Sequence, residues 1–182
     1  MVPSHYRGQH PCLREERRRP PTIHLVTTPD LSIEQVPFDS PAAQAMILCA
    51  EEELDRRYGP ETDRIALDPD SFNHPNGAFL VARDGEDLAG AVGLRRLDET
   101  HSEIKRLWVR PDLRRAGVAR TLMAAAELCA IELGYPVVVL ETGPRQPEAV
   151  AFYAKEGWEQ VAELPIRVSH YDESIRFLKR FS

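Results

Sequence analysis

The strongest constraint on the fold is a strand, a helix and a second strand that follow one another in the second half of the chain. Glu103 to Val109 predicts the first strand. After it, apolar residues recur every three or four positions up to Leu133, which predicts a helix that ends at Gly134. Val137 to Leu140 is wholly apolar and is typical of a strand buried on both faces. This order implies a right-handed crossover between two parallel neighbours.

The rest of the chain adds strands that pair with their sequence neighbours, together with two more helices. Asp84-Gly85-Glu86-Asp87 has the composition of a hairpin turn between two apolar runs. The whole pattern predicts an α/β fold with a mixed, mainly antiparallel sheet. The further predicted elements are strands at Ile33 to Phe38, Ala78 to Arg83, Leu88 to Leu97, Trp158 to Leu164 and Ser174 to Arg180, with helices from Pro41 to about Tyr58 and from Glu148 to Glu156.

Charge divides the chain into a basic tail and an acidic body. Residues 1–21 are rich in Arg and Pro and poor in bulky apolar residues, which predicts a flexible tail, and residues 22–182 form a single domain of ordinary size. Residues 1–20 hold five Arg and two Glu, a charge of +3, which leaves −9 for the body of a chain whose net charge is −6. We read the tail as a solvated extension; a nucleic-acid or partner arm is the alternative. An acidic body argues against nucleic-acid binding.

The location of the protein is also constrained by sequence. No run approaches the ~20 apolar residues of a membrane helix, and the N-terminus lacks the apolar stretch of a signal peptide. These features predict a cytoplasmic protein with no membrane contact. The three cysteines contain no Cys-x-x-Cys pair, so we expect no metal site. The sequence leaves open whether the protein forms a homodimer.

The turn between the first strand and the helix has the composition of an anion-binding site. Gly117 and Ala119 leave the backbone N–H groups of the helix start unobstructed, and these groups have no partner within the helix. Arg114, Arg115 and Arg120 surround the same point. Several charge-assisted donors around free N–H groups suit a pyrophosphate better than a single carboxylate.

This turn resembles the signature of the GCN5-related N-acetyltransferase superfamily: Arg or Gln, two residues, Gly, one residue, then Gly or Ala. Val109 and Pro111 precede it at the family spacing, and Ala149 to Tyr153 follows before Gly157. The detailed resemblance covers roughly residues 78–158. The residues that the resemblance assigns to the cofactor at this turn are Arg114, Arg115, Ala116, Gly117, Val118, Ala119 and Arg120.

The resemblance implies a sheet whose central parallel pair splays apart at the acetyl-CoA site, flanked by helices. It places the pyrophosphate on the turn and pairs the pantetheine with the main chain of Leu107, Trp108 and Val109, whose side chains are free to pack in the core. Gln146 stands where the family usually has an Asn that touches the cofactor, which puts that contact in doubt.

The resemblance also indicates residues for proton transfer, which an amine acceptor requires because it is mostly protonated at pH 7. Glu103 lies at the spacing of the catalytic Glu of histone acetyltransferases in the family. Its alternative role is a strand-surface carboxylate paired with Lys105 or Arg106. Glu141 is the reserve base.

Tyr153 matches the family's usual donor to the departing CoA thiolate; its alternative is a core aromatic residue. His170 and Tyr171 lie in the divergent segment near the acceptor pocket, and a loop surface is the simpler interpretation of that pair.

These residues lead us to expect an N-acetyltransferase that moves the acetyl group of acetyl-CoA to a primary amine of a small molecule or peptide, by direct transfer in a ternary complex. The alternative is a non-catalytic regulatory module that binds acyl-CoA. A module that only binds acyl-CoA does not need both Glu103 and Tyr153. Residues 51–70 contain eight acids against three Arg. Their charge predicts a cationic acceptor, unless these acids form only a solvated helix face.

Overall fold

The computed structural model describes residues 31–59, 67–168 and 173–181. The predicted tail at residues 1–21, the pair His170 and Tyr171, and the acids Glu61 and Asp63 lie outside these ranges. In the described part of the chain, seven strands form one sheet, and three α-helices cover its two faces.

The elements follow the order that the sequence predicts. The strands are β1 (Leu31–Val36), β2 (Ala78–Asp84), β3 (Asp87–Arg96), β4 (His101–Val109), β5 (Val137–Thr142), β6 (Glu159–Val161) and β7 (Ile175–Arg180). The helices are α1 (Pro41–Tyr58), α2 (Val118–Glu132) and α3 (Pro147–Lys155), and short 3₁₀ turns occupy Pro69–Phe72 and Pro111–Leu113.

The sheet is mixed, with the strand order β1-β2-β3-β4-β5-β7-β6. Its one parallel pair among the described strands is β4 with β5, and every other neighbouring pair is antiparallel. The helix α2 makes the connection between the two parallel strands. The predicted fold class, including the central parallel pair, is therefore confirmed.

The helix ends are fixed by local chemistry. Ser40 accepts a hydrogen bond from the N–H of Ala43 at 3.3 Å, and Pro41 fills the first helical position of α1. Past the C-terminal end of α2, Gly134 has a φ of 81°, a left-handed conformation that glycine adopts without strain. The N–H of Tyr135 then donates to the carbonyl of Ala130 at 2.9 Å, the bond of a Schellman motif.

The sheet has a hydrophobic core on each face. One core packs α2 and α3 against the sheet through residues such as Leu122, Tyr153 and Phe177. The other packs α1 against the opposite face through Met46 and Trp108. The helices α2 and α3 therefore lie on one side of the parallel pair, and α1 lies on the other side.

Two predicted strands end at least two residues earlier in the structure than in the prediction. The first strand ends at Val36, because Pro37 has no N–H to donate and Phe38 turns into the α1 core, where it is 6% exposed. The strand predicted at Trp158 to Leu164 is reduced to Glu159–Val161 at the edge of the sheet. Apolar residues alone do not distinguish a short edge strand from the coil that follows it.

Candidate active site

The site is formed where the two parallel strands separate. The pairing of β4 with β5 covers only His101 to Glu103 opposite Val137 to Val139, although β4 continues to Val109. Past this point the facing edges are unpaired, and a cavity of about 980 Å³ opens between them. Backbone N–H and C=O groups along such an edge need partners from a ligand or from water.

A bulge in β4 lies directly at the opening. Trp108 pairs with Ala91 and Lys105 pairs with Gly93, so that two residues of β4 oppose one residue of β3. One of these two, Arg106, has a φ of 58°. Bulges bend a strand and increase its twist, and here the bend accompanies the separation of β4 from β5.

The turn that precedes α2 presents free backbone donors to the cavity. Gly117 has a φ of 93°, and a Cβ atom added there would meet no protein atom within 4 Å. The N–H of Thr121 donates to the Gly117 carbonyl at 3.0 Å. The N–H groups before Thr121 at the helix start have no carbonyl within the helix to bind. The open space over Gly117 therefore suits an anion at the positive end of the helix dipole.

Most of the predicted site residues line this one cavity, and three do not. Those that line it are Leu107, Trp108, Val109, Arg114, Arg115, Gly117, Ala119, Arg120, Gln146 and Tyr153. Glu103, Ala116 and Val118 are outside its lining. Val118 is 1% exposed and packs in the α2 core, so only its backbone could serve a ligand.

Two arginines of the turn already have carboxylate partners. Arg114 donates from Nε to the carbonyl of Val109 at 3.0 Å and from its Nη2 to Glu53. Arg120 pairs with Glu156 at 2.8 Å. A bound pyrophosphate would have to share these guanidinium groups with the carboxylates or displace them.

Glu53 of α1 joins three parts of the site through one carboxylate. It accepts hydrogen bonds from Arg114, from the indole N–H of Trp108 at 2.9 Å and from Arg57 at 2.7 Å. Arg57 also pairs with Glu148 of α3 at 2.5 Å. Burial alone would raise the pKa of Glu53, but the hydrogen bonds from Arg114 and Arg57 outweigh it and lower the pKa. Glu53 is therefore ionised at neutral pH and links α1 to both walls of the cavity. Sequence reasoning missed this role, because Glu53 is one of three consecutive glutamates in α1.

The geometry gives no support to Glu103 as the base. Its side chain is 1% exposed and forms ion pairs with Arg95 at 2.5 Å and with Lys105 at 2.9 Å. The structure pairs Glu103 with Lys105, as the alternative role predicts, but the carboxylate is buried and does not lie on the surface of the strand. The reserve candidate Glu141 does line the cavity, and it pairs with Arg176 at 3.3 Å.

The position of Tyr153 is compatible with both of its interpretations, as a core aromatic residue and as a proton donor. Its ring packs against Trp158 and Phe177 in the core, while the residue also lines the cavity. Burial raises the pKa of its hydroxyl well above the ordinary value, so the phenol keeps its proton at neutral pH. Within the described ranges the hydroxyl has no hydrogen-bond partner, and its proton is available to a ligand.

Gln146 stands at the start of α3, opposite the end of α1. Its backbone carbonyl accepts a hydrogen bond from the N–H of Ala149 at 3.0 Å. The residue also lines the cavity. Tyr58 closes this side of the cavity, because its hydroxyl accepts from the N–H of Arg145 at 2.9 Å. Gly143 lies so close to that ring that a Cβ atom would be 2.1 Å from the hydroxyl oxygen.

The described residues contain neither a helix suited to crossing a membrane nor a cluster of His, Cys, Asp or Glu that could hold a metal ion.

The strands β4 and β5 separate beside a helix whose first N–H groups are unpaired, and one cavity joins these two features. This is the arrangement of an acyl-CoA-dependent acyltransferase. The chain belongs to the acetyltransferase (GNAT) family, whose sequence model matches residues 45–158, and it is an acyl-CoA-dependent N-acetyltransferase. It is similar to the IAA acetyltransferase of Azospirillum brasilense, with 33% identity over 124 residues that cover 66% of this chain and 80% of the relative.

Solved structures share the fold. An acetyltransferase from Streptococcus agalactiae has a TM-score of 0.69 and 20% identity, with 83% of this chain and 98% of that chain covered. A GNAT family acetyltransferase from Elizabethkingia anophelis, solved with acetyl-CoA bound, has a TM-score of 0.59 and 17% identity over 83% of this chain and 98% of that one.

Replacing Gly117 with Val should weaken CoA binding at least about tenfold, because the side chain would fill the space over the backbone donors. Gly134→Val is the matched control, since Gly134 also has a positive φ and open space around it but does not line the cavity. Both variants should lose thermal stability through backbone strain, and only Gly117→Val should lose affinity in calorimetric titration with CoA. Equal CoA affinity in both folded variants would remove the turn from the binding site.

Replacing Glu53 with Gln should lower the free energy of unfolding by about 1–3 kcal/mol, because three donors would lose a charged acceptor. Glu52→Gln should change it by less than about 0.5 kcal/mol, since Glu52 has no such partner among the described residues. The lowered pKa of Glu53 fixes the pH dependence: its stabilisation is present above the ordinary Glu pKa and is lost as pH falls through the lowered value. Urea unfolding should therefore show a difference between wild type and Glu53→Gln that shrinks in acid; a difference that stays constant would contradict this account.

Proposed function

We propose that the protein transfers the acetyl group of acetyl-CoA directly to a primary amine while both substrates are bound. The observation that carries this proposal is that one continuous cavity runs from the turn at Gly117 to the acids of α1, including Glu51 and Asp55. Donor and acceptor can therefore enter the same cavity from opposite faces of the sheet. Direct transfer needs this proximity of the two reacting groups.

The donor is held chiefly by backbone groups. The unpaired edge of β4 near Leu107, Trp108 and Val109 offers N–H and C=O groups to the pantetheine, and the turn at Gly117 offers N–H groups to the pyrophosphate. The free phenol of Tyr153 is then available to the sulfur. Its proton would pass to the CoA thiolate as the carbon–sulfur bond breaks.

Glu141 is the better supported base, because it lines the cavity and Glu103 does not. It lies on β5 past the last residue that pairs with β4, on the face of the sheet that α1 covers. A carboxylate there can take a proton from the acceptor ammonium, directly or through water, before the amine attacks the thioester.

The acceptor is an amine, and the paired acids of α1 limit how much positive charge it carries. Glu51 pairs with Arg106 at 3.3 Å, and Glu53 binds Arg57 and Arg114. Two of the eight acids that predicted a cationic acceptor are therefore compensated locally. This compensation favours a single ammonium group over a polyamine.

Tyr153→Phe should lower kcat by about 10²- to 10⁴-fold and leave the affinity for CoA nearly unchanged, because only a phenolic proton is lost. Phe152→Leu is a control on the same helix, since Phe152 also lines the cavity and carries no proton to donate. Because burial raises the pKa of Tyr153, the wild-type rate should show no loss from its ionisation below about pH 10. Unaltered turnover of Tyr153→Phe at saturating substrate would make the residue a packing group only.

Glu141→Gln should lower kcat by about 10²-fold or more at pH 7, with partial recovery at high pH, where more of the acceptor is already a neutral amine. Glu103→Gln, measured in parallel, decides between the two carboxylates. If the pH-dependent loss appears in Glu103→Gln and not in Glu141→Gln, the assignment based on sequence spacing is correct and ours is wrong.

A further inference from the structure

We infer that Lys105 binds a carboxylate of the acceptor, so that the acceptor class is a molecule with both an amine and a carboxylate, such as an amino acid. This inference rests on the proposed function and adds the group that selects the acceptor. Neither the sequence pattern nor the family signature assigns a role to Lys105.

Lys105 is a largely buried cation with one ion-pair partner among the described residues. Its side chain is 16% exposed and lines the cavity. Its ammonium lies 2.9 Å from Oε1 of Glu103, but that oxygen has no hydrogen-bond partner, so the contact is an ion pair without hydrogen-bond geometry. No described residue accepts a hydrogen bond from Lys105. An ammonium group has three donors, so a carboxylate that enters the cavity can accept hydrogen bonds from Lys105 without displacing a described acceptor.

Among the described residues, the cluster of Arg95, Glu103 and Lys105 carries one more positive charge than negative charges. Glu103 is the shared partner of two cations, because its other oxygen pairs with Arg95. Of these three residues only Lys105 lines the cavity. The neighbouring cations Arg106 and Arg176 have carboxylate partners of their own. The excess positive charge of the group is therefore presented to whatever enters the cavity.

The position of Lys105 assigns this charge to the acceptor rather than to CoA. Arg95 pairs with Glu103 across β3 and β4, and Lys105 is two residues further along β4, so the three side chains share one face of the sheet. Ile104 points the other way, into the core with α2. The Lys105 side chain therefore lies on the face that α1 covers, opposite the face that carries the turn and Tyr153.

An amino acid could contact both Lys105 and the proposed base Glu141, which also pairs with Arg176. Its carboxylate would receive charge-assisted hydrogen bonds from Lys105, and its amine would face the carboxylate of Glu141. The electrostatics then select an acceptor with one charge of each sign. A polyamine would place a positive charge against Lys105, which is unfavourable.

The test is acetylation of a panel of amino acids and their primary amides, measured by CoA release with purified protein. For each pair the ratio of kcat/KM for the acid to kcat/KM for the amide is determined in wild type, in Lys105→Met and in Lys105→Arg. The wild-type ratio is divided by the variant ratio, because this cancels the different basicity of the two amines. Lys155→Met is the control, since Lys155 lines the cavity on α3, beside the turn.

Lys105→Met should reduce the preference for the acid by about 10- to 100-fold, with Lys105→Arg retaining part of it and Lys155→Met retaining all of it. CoA affinity measured by calorimetry should be the same in wild type and Lys105→Met, which also shows that the variant is folded.

If kcat in Lys105→Met falls equally for acid and amide, Lys105 acts on the reacting carbonyl instead, and the inference is overturned. It is also overturned if wild type acetylates amines that lack a carboxylate and ignores every amino acid. Absence of transfer to any amine would instead refute the proposed function.

Discussion

The parting of β4 from β5 after three paired residues is the constraint on which the rest of the site depends. A parallel pair normally continues its ladder, because each unpaired backbone group needs another partner. Here the bulge at Arg106 bends β4, and the ladder ends beside it. The opening supplies a polar backbone edge inside an otherwise apolar sheet, and it connects the α2 face to the α1 face. Without that opening, the turn at Gly117 would bind an anion with no path to an acceptor.

The site also depends on Glu53, whose side-chain contacts connect the turn before α2 with β4 and α3. Its carboxylate holds Arg114 of the turn and Trp108 of β4, and through Arg57 it reaches Glu148 of α3. Since Arg114 is held in this way, we propose that the backbone N–H groups at the turn would carry the larger share of pyrophosphate binding. The exposed side chain of Arg115 is the one arginine of the turn without a carboxylate partner among the described residues. A change in the pairing of Arg114 on CoA binding would reach α1 through Glu53 and thus the acceptor side.

Features fixed by local sequence could be predicted, and features fixed by partners across the sheet could not. The strand, turn and helix around Gly117 follow from periodicity and from glycine's backbone freedom, which act over a few residues. The role of Glu103 depends on Arg95, which pairs with it from β3, and on the bulge that redirects the strand after it. Nothing in the spacing from Glu103 to the turn reveals a partner on another strand. The same holds for Glu53, whose three donors are distributed between α1, β4 and the turn.

The cluster of Arg95, Glu103 and Lys105 shows how an energetic cost can indicate function. One buried carboxylate needs one cation for charge balance, and Arg95 already supplies it at 2.5 Å. A second cation adds a desolvation cost that the shared carboxylate cannot fully offset, and an apolar residue in place of Lys105 would avoid that cost. A purely structural role therefore requires Arg95 but not Lys105. The surplus charge gains a further partner when an anion enters the cavity, and a carboxylate-bearing acceptor would supply that anion.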